Sequence, residues 1–71
     1  MRRFFFTLDE LRAMVLQAYP GAVGKPAIDE ALRELYANGA PDPNPANEGR
    51  RMVLPDQWRA FSHWVAGYAT A

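Results

Sequence analysis

The chain has 71 residues, with eight basic and eight acidic side chains, a single histidine and no cysteine. This length allows one small domain, residues 1–71, whose own core supplies only a few kcal/mol of net stability. The absence of cysteine excludes disulfides and thiolate chemistry. A formal net charge of zero argues against bulk attraction to nucleic acid or to anionic lipid. The hydrophobic share of 49% predicts a folded chain rather than a disordered tail.

The apolar stretches are all short. None of them is long enough to span a bilayer, and the apolar run that follows Arg3 is too short for a signal peptide. We therefore expect a cytoplasmic protein with no membrane partner.

The first two elements are a strand and a helix. Residues 2–6 favour a short strand, and Thr7 and Glu10 have the spacing of a capping box at a helix start. Pro20 is expected to end that helix, because proline disfavours helical geometry at the residue before it. The apolar positions of the helix repeat at helical spacing: Leu8, Leu11, Met14, Val15 and Ala18.

A second helix is predicted after a turn over residues 20–25. Pro26 suits the first helical position, and Asn38 and Gly39 form a typical helix stop. Asp29 is placed to pair with Arg33 four residues on. The apolar face again fits one side of a helix: Ile28, Ala31, Leu32, Leu35 and Tyr36.

The segment 40–49 is rich in proline, with Pro41, Pro43 and Pro45. Proline at that spacing is not compatible with a helix or with a paired strand. We expect a surface loop there.

A second strand over residues 50–54 and a third helix beginning at Pro55 complete the chain. The predicted fold class is mainly α (small α+β), with three short helices and a minimal two-strand ribbon in the order β-α-α-loop-β-α. The third helix carries six residues on one face: Trp58, Phe61, Ser62, Val65, Tyr68 and Ala69.

Catalytic chemistry is poorly supported. Ser62 and His63 are neighbours on a helix, where adjacent side chains point about 100° apart and cannot form a nucleophile and base pair. A zinc site needs more histidine or cysteine than this chain has. The paired carboxylates stand in first helical turns, where acids stabilise the helix dipole: Asp9-Glu10 and Asp29-Glu30. We expect neither an enzyme nor a cofactor or metal site.

The unusual feature is excess apolar surface. Phe5 must point opposite to its two phenylalanine neighbours, and Val53 opposite to Met52 and Leu54, so both faces of the ribbon are apolar. We expect a second copy (a homodimer) or another protein to cover one face. The predicted function is therefore a protein-binding module: a regulator, an adaptor or a phage-type inhibitor that occupies a partner's surface. The expected contacts are Phe5, Val53, Trp64 and Tyr68, with a polar rim of Arg50 and Arg51.

The alternative is a small helix-turn-helix-like DNA-binding regulator. Its basic cluster would be Arg2, Arg3, Arg50 and Arg51. These four side chains meet only if the two strands are parallel. The candidate recognition helix carries Asp29, Glu30 and Glu34 against Arg33, a face that would repel phosphates.

Overall fold

The computed structural model describes residues 4–22 and 24–70. Three helices and a two-stranded antiparallel ribbon confirm the predicted small α+β class and the predicted order of elements. The expected strand residues 2 and 3 lie outside the described residues. The elements are β1 (Phe5–Phe6), α1 (Leu8–Ala18), α2 (Pro26–Ala37), β2 (Arg51–Met52) and α3 (Pro55–Thr70), with 3-10 turns at Pro20–Ala22 and Pro45–Asn47.

Helix α1 begins with the predicted capping box. The Glu10 N–H donates to Thr7 Oγ1 at 3.1 Å, and the Thr7 N–H donates to Glu10 Oε1 at 3.0 Å. Two N–H groups that lack helical partners are thus satisfied by two side chains. At the other end the Tyr19 N–H donates to the Val15 carbonyl at 2.7 Å, directly before Pro20, so the helix stops where proline was expected to stop it.

An ion-pair network joins α1 to α2. Arg12 Nη2 on α1 lies 3.0 Å from Asp29 Oδ1 on α2, and Arg33 Nε lies 2.9 Å from the other oxygen of the same carboxylate. The hydrogen bonds from Arg33 and then from Arg12 hold the pKa of Asp29 below its ordinary value of 3.8. The predicted Asp29–Arg33 pair is confirmed, and the pair with Arg12 extends it to a second helix.

The two strands pair antiparallel, with Phe5 opposite Met52 and Phe6 opposite Arg51. The segment 40–42 lies along the other edge of β2: the Met52 N–H donates to the Ala40 carbonyl at 2.8 Å, and the Asp42 N–H donates to the Arg50 carbonyl at 3.0 Å. The expectation that no residue of 40–49 takes part in strand pairing is therefore wrong.

Proline is tolerated at this edge because of its position. Pro41 stands opposite Arg51 at the bridge, while the hydrogen bonds to β2 are made by its two neighbours. The nitrogen that carries no hydrogen is thus never required as a donor to β2.

The rest of the loop is ordered by short-range polar contacts. One Asp42 oxygen accepts from the Asn44 N–H at 2.9 Å, and the other accepts from the Asn47 side-chain amide at 3.0 Å. The Tyr36 hydroxyl donates to the Gly49 carbonyl, which fastens the loop to α2. These contacts hold loop 40–49 in a defined conformation.

The buried core draws on all three helices, on the 3-10 turn Pro20–Ala22 and on the segment after β2. Its residues are Leu11, Val15, Ala22, Ile28, Leu32, Val53 and Val65. Val53 is 2% exposed, and its N–H donates to the Phe4 carbonyl at 2.7 Å. The expectation that Val53 contacts a partner is therefore wrong, because the chain buries this side chain in its own core.

Candidate protein-binding surface

Helix α3 is fixed at its start by backbone and side-chain contacts. The Leu54 N–H donates to Gln57 Oε1 at 2.9 Å, and the Trp58 N–H donates to the Leu54 carbonyl at 3.0 Å. Pro55 occupies the first helical position, where its missing N–H costs nothing. Val65 is fully buried further along the helix, so one side of α3 is held against the core. Among the described residues, no helix is long and apolar enough to cross a membrane.

Four aromatic rings follow one another along α3. The ring centroids of Trp58 and Phe61 are 5.5 Å apart, and those of Phe61 and Trp64 are 6.2 Å apart. Trp64 and Tyr68 are stacked, with centroids 5.3 Å apart and an angle of 23° between their planes. These separations lie in the range of favourable ring contacts.

This row of rings emerges from the core as it runs toward the end of the helix. Trp58 and Phe61 are half-buried and pack against the core, whereas Trp64 is 42% exposed and Tyr68 is 43% exposed. Among the described residues, the other large hydrophobic side chain that remains exposed is Leu54, at 43%. All three lie on α3 or at the residue directly before it.

Small residues border the exposed rings. Ala60 and Gly67 are exposed, and a methyl group added at Gly67 would meet no atom within 4 Å apart from its chain neighbours and the backbone of its own helix. Because a helix has 3.6 residues per turn, both lie beside Trp64 on the flank away from Phe61. We call Ala60, Phe61, Trp64, Gly67 and Tyr68 the α3 surface.

The α3 surface is uncharged. Residues 60–70 contain no aspartate, glutamate, lysine or arginine. The charged side chains of this helix, Asp56 and Arg59, belong to its first half and pair with each other at 3.1 Å. His63 is exposed, and its position in the helical turn directs it away from Phe61 and Tyr68.

Two of the predicted contact residues come together and the others do not. Trp64 and Tyr68 stack on each other in the α3 surface. Phe5 is half-buried beside a groove that also includes Glu10 and Met14. Val53 is in the core and is not available to a partner.

The two described arginines of the proposed cluster are engaged within the chain. Arg50 Nη2 donates to Glu10 Oε2 at 2.9 Å, and its Nη1 contacts Glu10 Oε1. Arg51 Nη1 donates to the Gly39 carbonyl at 2.8 Å, and its guanidinium carbon lies 5.5 Å from the centre of the Tyr36 ring. Both arginines hold β2 against neighbouring elements.

The other two arginines of that cluster, Arg2 and Arg3, lie outside the described residues. Strands β1 and β2 pair antiparallel, whereas the predicted basic cluster requires parallel strands. Residues 4–22 and 24–70 also contain no group of three metal-ligating side chains.

Ala60, Gly67 and Leu54 were not predicted from the sequence to lie at or beside this surface. The signal was a spacing of seven, which relates Ala60 to Gly67 and Phe61 to Tyr68. That spacing keeps residues on one face of a helix over two turns. Comparison with protein-family models, with curated proteins and with solved structures finds no match for this chain.

Proposed function

We propose that this protein is a non-catalytic binding module that docks another protein chain against the α3 surface, and acts as a regulator, an adaptor or a phage-type inhibitor. The observation that carries the proposal is the stacked pair Trp64 and Tyr68, each with about two fifths of its side chain in contact with solvent. Tryptophan and tyrosine are enriched among the residues that dominate binding energy at protein interfaces.

The setting of these rings supports a binding role over a purely structural one. Val65 already anchors α3, and Trp58 and Phe61 already cover the core margin. Trp64 and Tyr68 extend the row of rings beyond that margin. Rings that stack on each other are also held in place, which lowers the entropy cost of ordering them in a complex.

A nucleic-acid partner is less well supported. Arg50 and Arg51 donate to Glu10 and to backbone carbonyls, so using them for phosphate would require breaking those contacts. The α3 surface itself offers no cation. Affinity for DNA or RNA depends on releasing counterions through lysine and arginine contacts.

Affinity capture with matched variants tests the proposal. The full chain is immobilised and exposed to lysate of the cells that carry its gene, with and without nuclease treatment, alongside Trp64→Ala, Tyr68→Ala and the control Arg59→Ala, whose position in the helical turn points away from both rings. We expect the native chain and the control to retain one protein in near-stoichiometric amount. Both ring variants should lose at least about tenfold in affinity, as truncation of an interface aromatic does.

Circular dichroism provides the folding control. Tyr68 lies near the end of α3 and is 43% exposed, so Tyr68→Ala should leave the helical signal intact even if Trp64→Ala weakens the fold. Capture that both ring variants retain in full would overturn the proposal. If the chain captures nucleic acid alone, and this capture is lost after nuclease treatment, the binding function belongs to the basic residues instead.

A further inference from the structure

We infer that the bond between Asn38 and Gly39 is a site of spontaneous deamidation, and that the folded chain keeps this site closed through hydrogen bonds from the side chain of Arg51. The inference concerns the end of α2 and is independent of the α3 surface and of the proposed function. It adds a covalent modification, with water as the co-reactant, whose rate reports how often this segment opens.

An asparagine followed by glycine contains both the nucleophile and the leaving group of this reaction. The Gly39 nitrogen attacks the side-chain carbonyl carbon of Asn38 and loses its proton, and ammonia leaves as a five-membered succinimide ring closes. Water then adds to one of the two ring carbonyls and opens the ring. The product is aspartate, or isoaspartate where the main chain then runs through the former side chain. Glycine favours ring closure because it places no side chain beside the attacking nitrogen.

Of the three asparagines in the chain, Asn38 has the most favourable sequence for this reaction, and it is exposed. Asn44 precedes Pro45, whose nitrogen has no hydrogen to lose. Asn47 precedes Glu48, which brings a side chain beside the nitrogen, and its own amide group donates to a carboxylate of the same loop at 3.0 Å. The reaction is therefore expected first at Asn38.

The conformation at the end of α2 opposes the attack. Asn38 has helical angles, φ −80° and ψ −10°, and its N–H donates to the Glu34 carbonyl at 3.0 Å. Ring closure places Cβ of Asn38 and the Gly39 nitrogen on the same side of the Cα–C bond, which requires a large rotation of ψ out of the helical region. The Gly39 N–H also donates to the Tyr36 carbonyl at 3.2 Å, so the attacking nitrogen is engaged. The folded chain therefore reacts only when this segment opens.

Arg51 holds the carbonyl groups on both sides of Asn38. Its Nη1 donates to the Ala37 carbonyl at 3.2 Å and to the Gly39 carbonyl at 2.8 Å. Rotation at Asn38 moves these two carbonyls relative to each other, so ring closure breaks at least one of the two hydrogen bonds. The rate of deamidation should therefore follow the population in which Arg51 has released the segment.

Isoaspartate at position 38 prevents the segment from closing again. It lengthens the main chain between residues 38 and 39, whereas even a methyl group added at Gly39 would lie on the Met52 carbonyl oxygen. Ala40 must also keep its place, because its carbonyl accepts from the Met52 N–H at 2.8 Å. The purified isoaspartate form should melt at a lower temperature than both the native chain and Asn38→Asp, which has the other product at the same position.

Mass spectrometry of the full chain, kept in a mildly alkaline buffer, measures the reaction. Trypsin cleavage after Arg33 and Arg50 releases one peptide that contains all three asparagines, so fragmentation assigns the change in mass to a residue. We expect Asn38 to convert at least about tenfold more slowly in the native chain than in the chain unfolded by guanidinium chloride. In the unfolded chain Asn38 should convert faster than Asn47, which is the internal control.

Substitution of Arg51 tests the protection. Arg51→Ala removes two hydrogen bonds, and we expect it to speed conversion of Asn38 in the folded protein about tenfold while leaving the rate in denaturant unchanged. Arg59→Ala is the matched control, because it removes an exposed guanidinium and should change neither rate. Arg51→Lys keeps a charged donor and should give an intermediate rate. It replaces the alanine variant if circular dichroism shows that the latter is unfolded.

Three outcomes would overturn the inference. An unfolded chain in which Asn38 converts no faster than Asn47 would remove the site. Equal rates for Asn38 in the native and the unfolded chain would show that the fold gives no protection. Folded Arg51 variants that convert no faster than the native chain would show that Arg51 does not keep the site closed.

Discussion

The carboxylate of Glu10 joins two elements that are 40 residues apart in sequence. Its Oε1 accepts from the Thr7 N–H at 3.0 Å and thereby caps α1, while its Oε2 accepts from Nη2 of Arg50, directly before β2, at 2.9 Å. Arg50 also donates to the Phe5 carbonyl at 3.2 Å. A local helix cap is therefore part of the contact that closes the ribbon.

Substitution at Glu10 should separate these two roles. Glu10→Gln keeps a capping acceptor but removes the charge that pairs with Arg50, and we expect a loss of about 1 kcal/mol in the free energy of unfolding. Glu10→Ala removes both contacts and should cost about 2 kcal/mol. Urea denaturation measures both values. Glu30→Gln, at an exposed position on α2, is the control and should stay within about 0.5 kcal/mol. Equal losses for the two Glu10 variants would contradict the dual role.

Gly39 is required by close packing rather than by its backbone angles. A methyl group at this position would lie on the Met52 carbonyl oxygen and 3.1 Å from the Met52 nitrogen, whereas a positive φ occurs only at Gly24 and Gly49 among the described residues. We expect Gly39→Ala to lower the free energy of unfolding by about 1–3 kcal/mol. Gly67→Ala should instead raise it by about 0.5–1 kcal/mol, because that position is open and helical. Thermal melts at micromolar concentration compare the two, and a stable Gly39→Ala protein would refute the packing argument.

The lowered pKa of Asp29 predicts how stability depends on pH. The hydrogen bonds from Arg33 and Arg12 place the folded pKa below the ordinary value of 3.8, so the unfolded chain takes up the proton first as the pH falls. The stabilisation by Asp29 is therefore fully present above the unfolded pKa. It declines as the pH falls below 3.8 toward the folded pKa.

Thermal unfolding of the native chain and of Asp29→Asn measures this effect. The native chain should melt at a higher temperature at neutral pH, and the difference between the two proteins should shrink as the pH is lowered through the acid range. Asp56→Asn is the control, because the pair of Asp56 with Arg59 is highly exposed and contributes little. A difference that grows on acidification would contradict the assigned direction of the pKa.

The order of loop 40–49 should depend on Asp42. Its carboxylate accepts from the Asn44 N–H and from the Asn47 side chain, so Asp42→Ala should release the segment between them. We expect faster amide exchange at the residues from 44 to 50 and faster proteolysis within the loop, with little change in global stability. Glu48→Ala, at an exposed position in the same loop, should leave both rates near those of the native chain. Unchanged exchange in Asp42→Ala would show that the loop is held by other contacts.

Local signals in the sequence predicted most of the fold. The capping box at Thr7, the proline at residue 26 and the apolar spacing from Ile28 to Tyr36 each act within one or two turns of chain, and the elements they predicted are present. Strand direction and the pairing of Pro41 with Arg51 depend on contacts between distant segments. No local spacing encodes those contacts.

The candidate site was predicted only in part, for a related reason. Trp64 and Tyr68 were expected at a surface and lie at one. Val53 was expected beside them on the evidence of strand alternation, but it follows the two-residue β2 and packs with Val65 and the helices in the core. Alternation predicts opposite faces of a strand. It does not predict that the residue directly after β2 turns into the core.

The position of Pro41 also bears on how the folded chain avoids aggregation. An edge strand with unpaired N–H groups is a template on which other chains can add. The hydrogen bonds of segment 40–42 to β2 come from Ala40 and Asp42, so the backbone of Pro41 faces the outside of the ribbon. A strand approaching from that side finds a pyrrolidine ring where it needs a donor. Proline therefore terminates the ribbon on this side and blocks its growth into an intermolecular sheet.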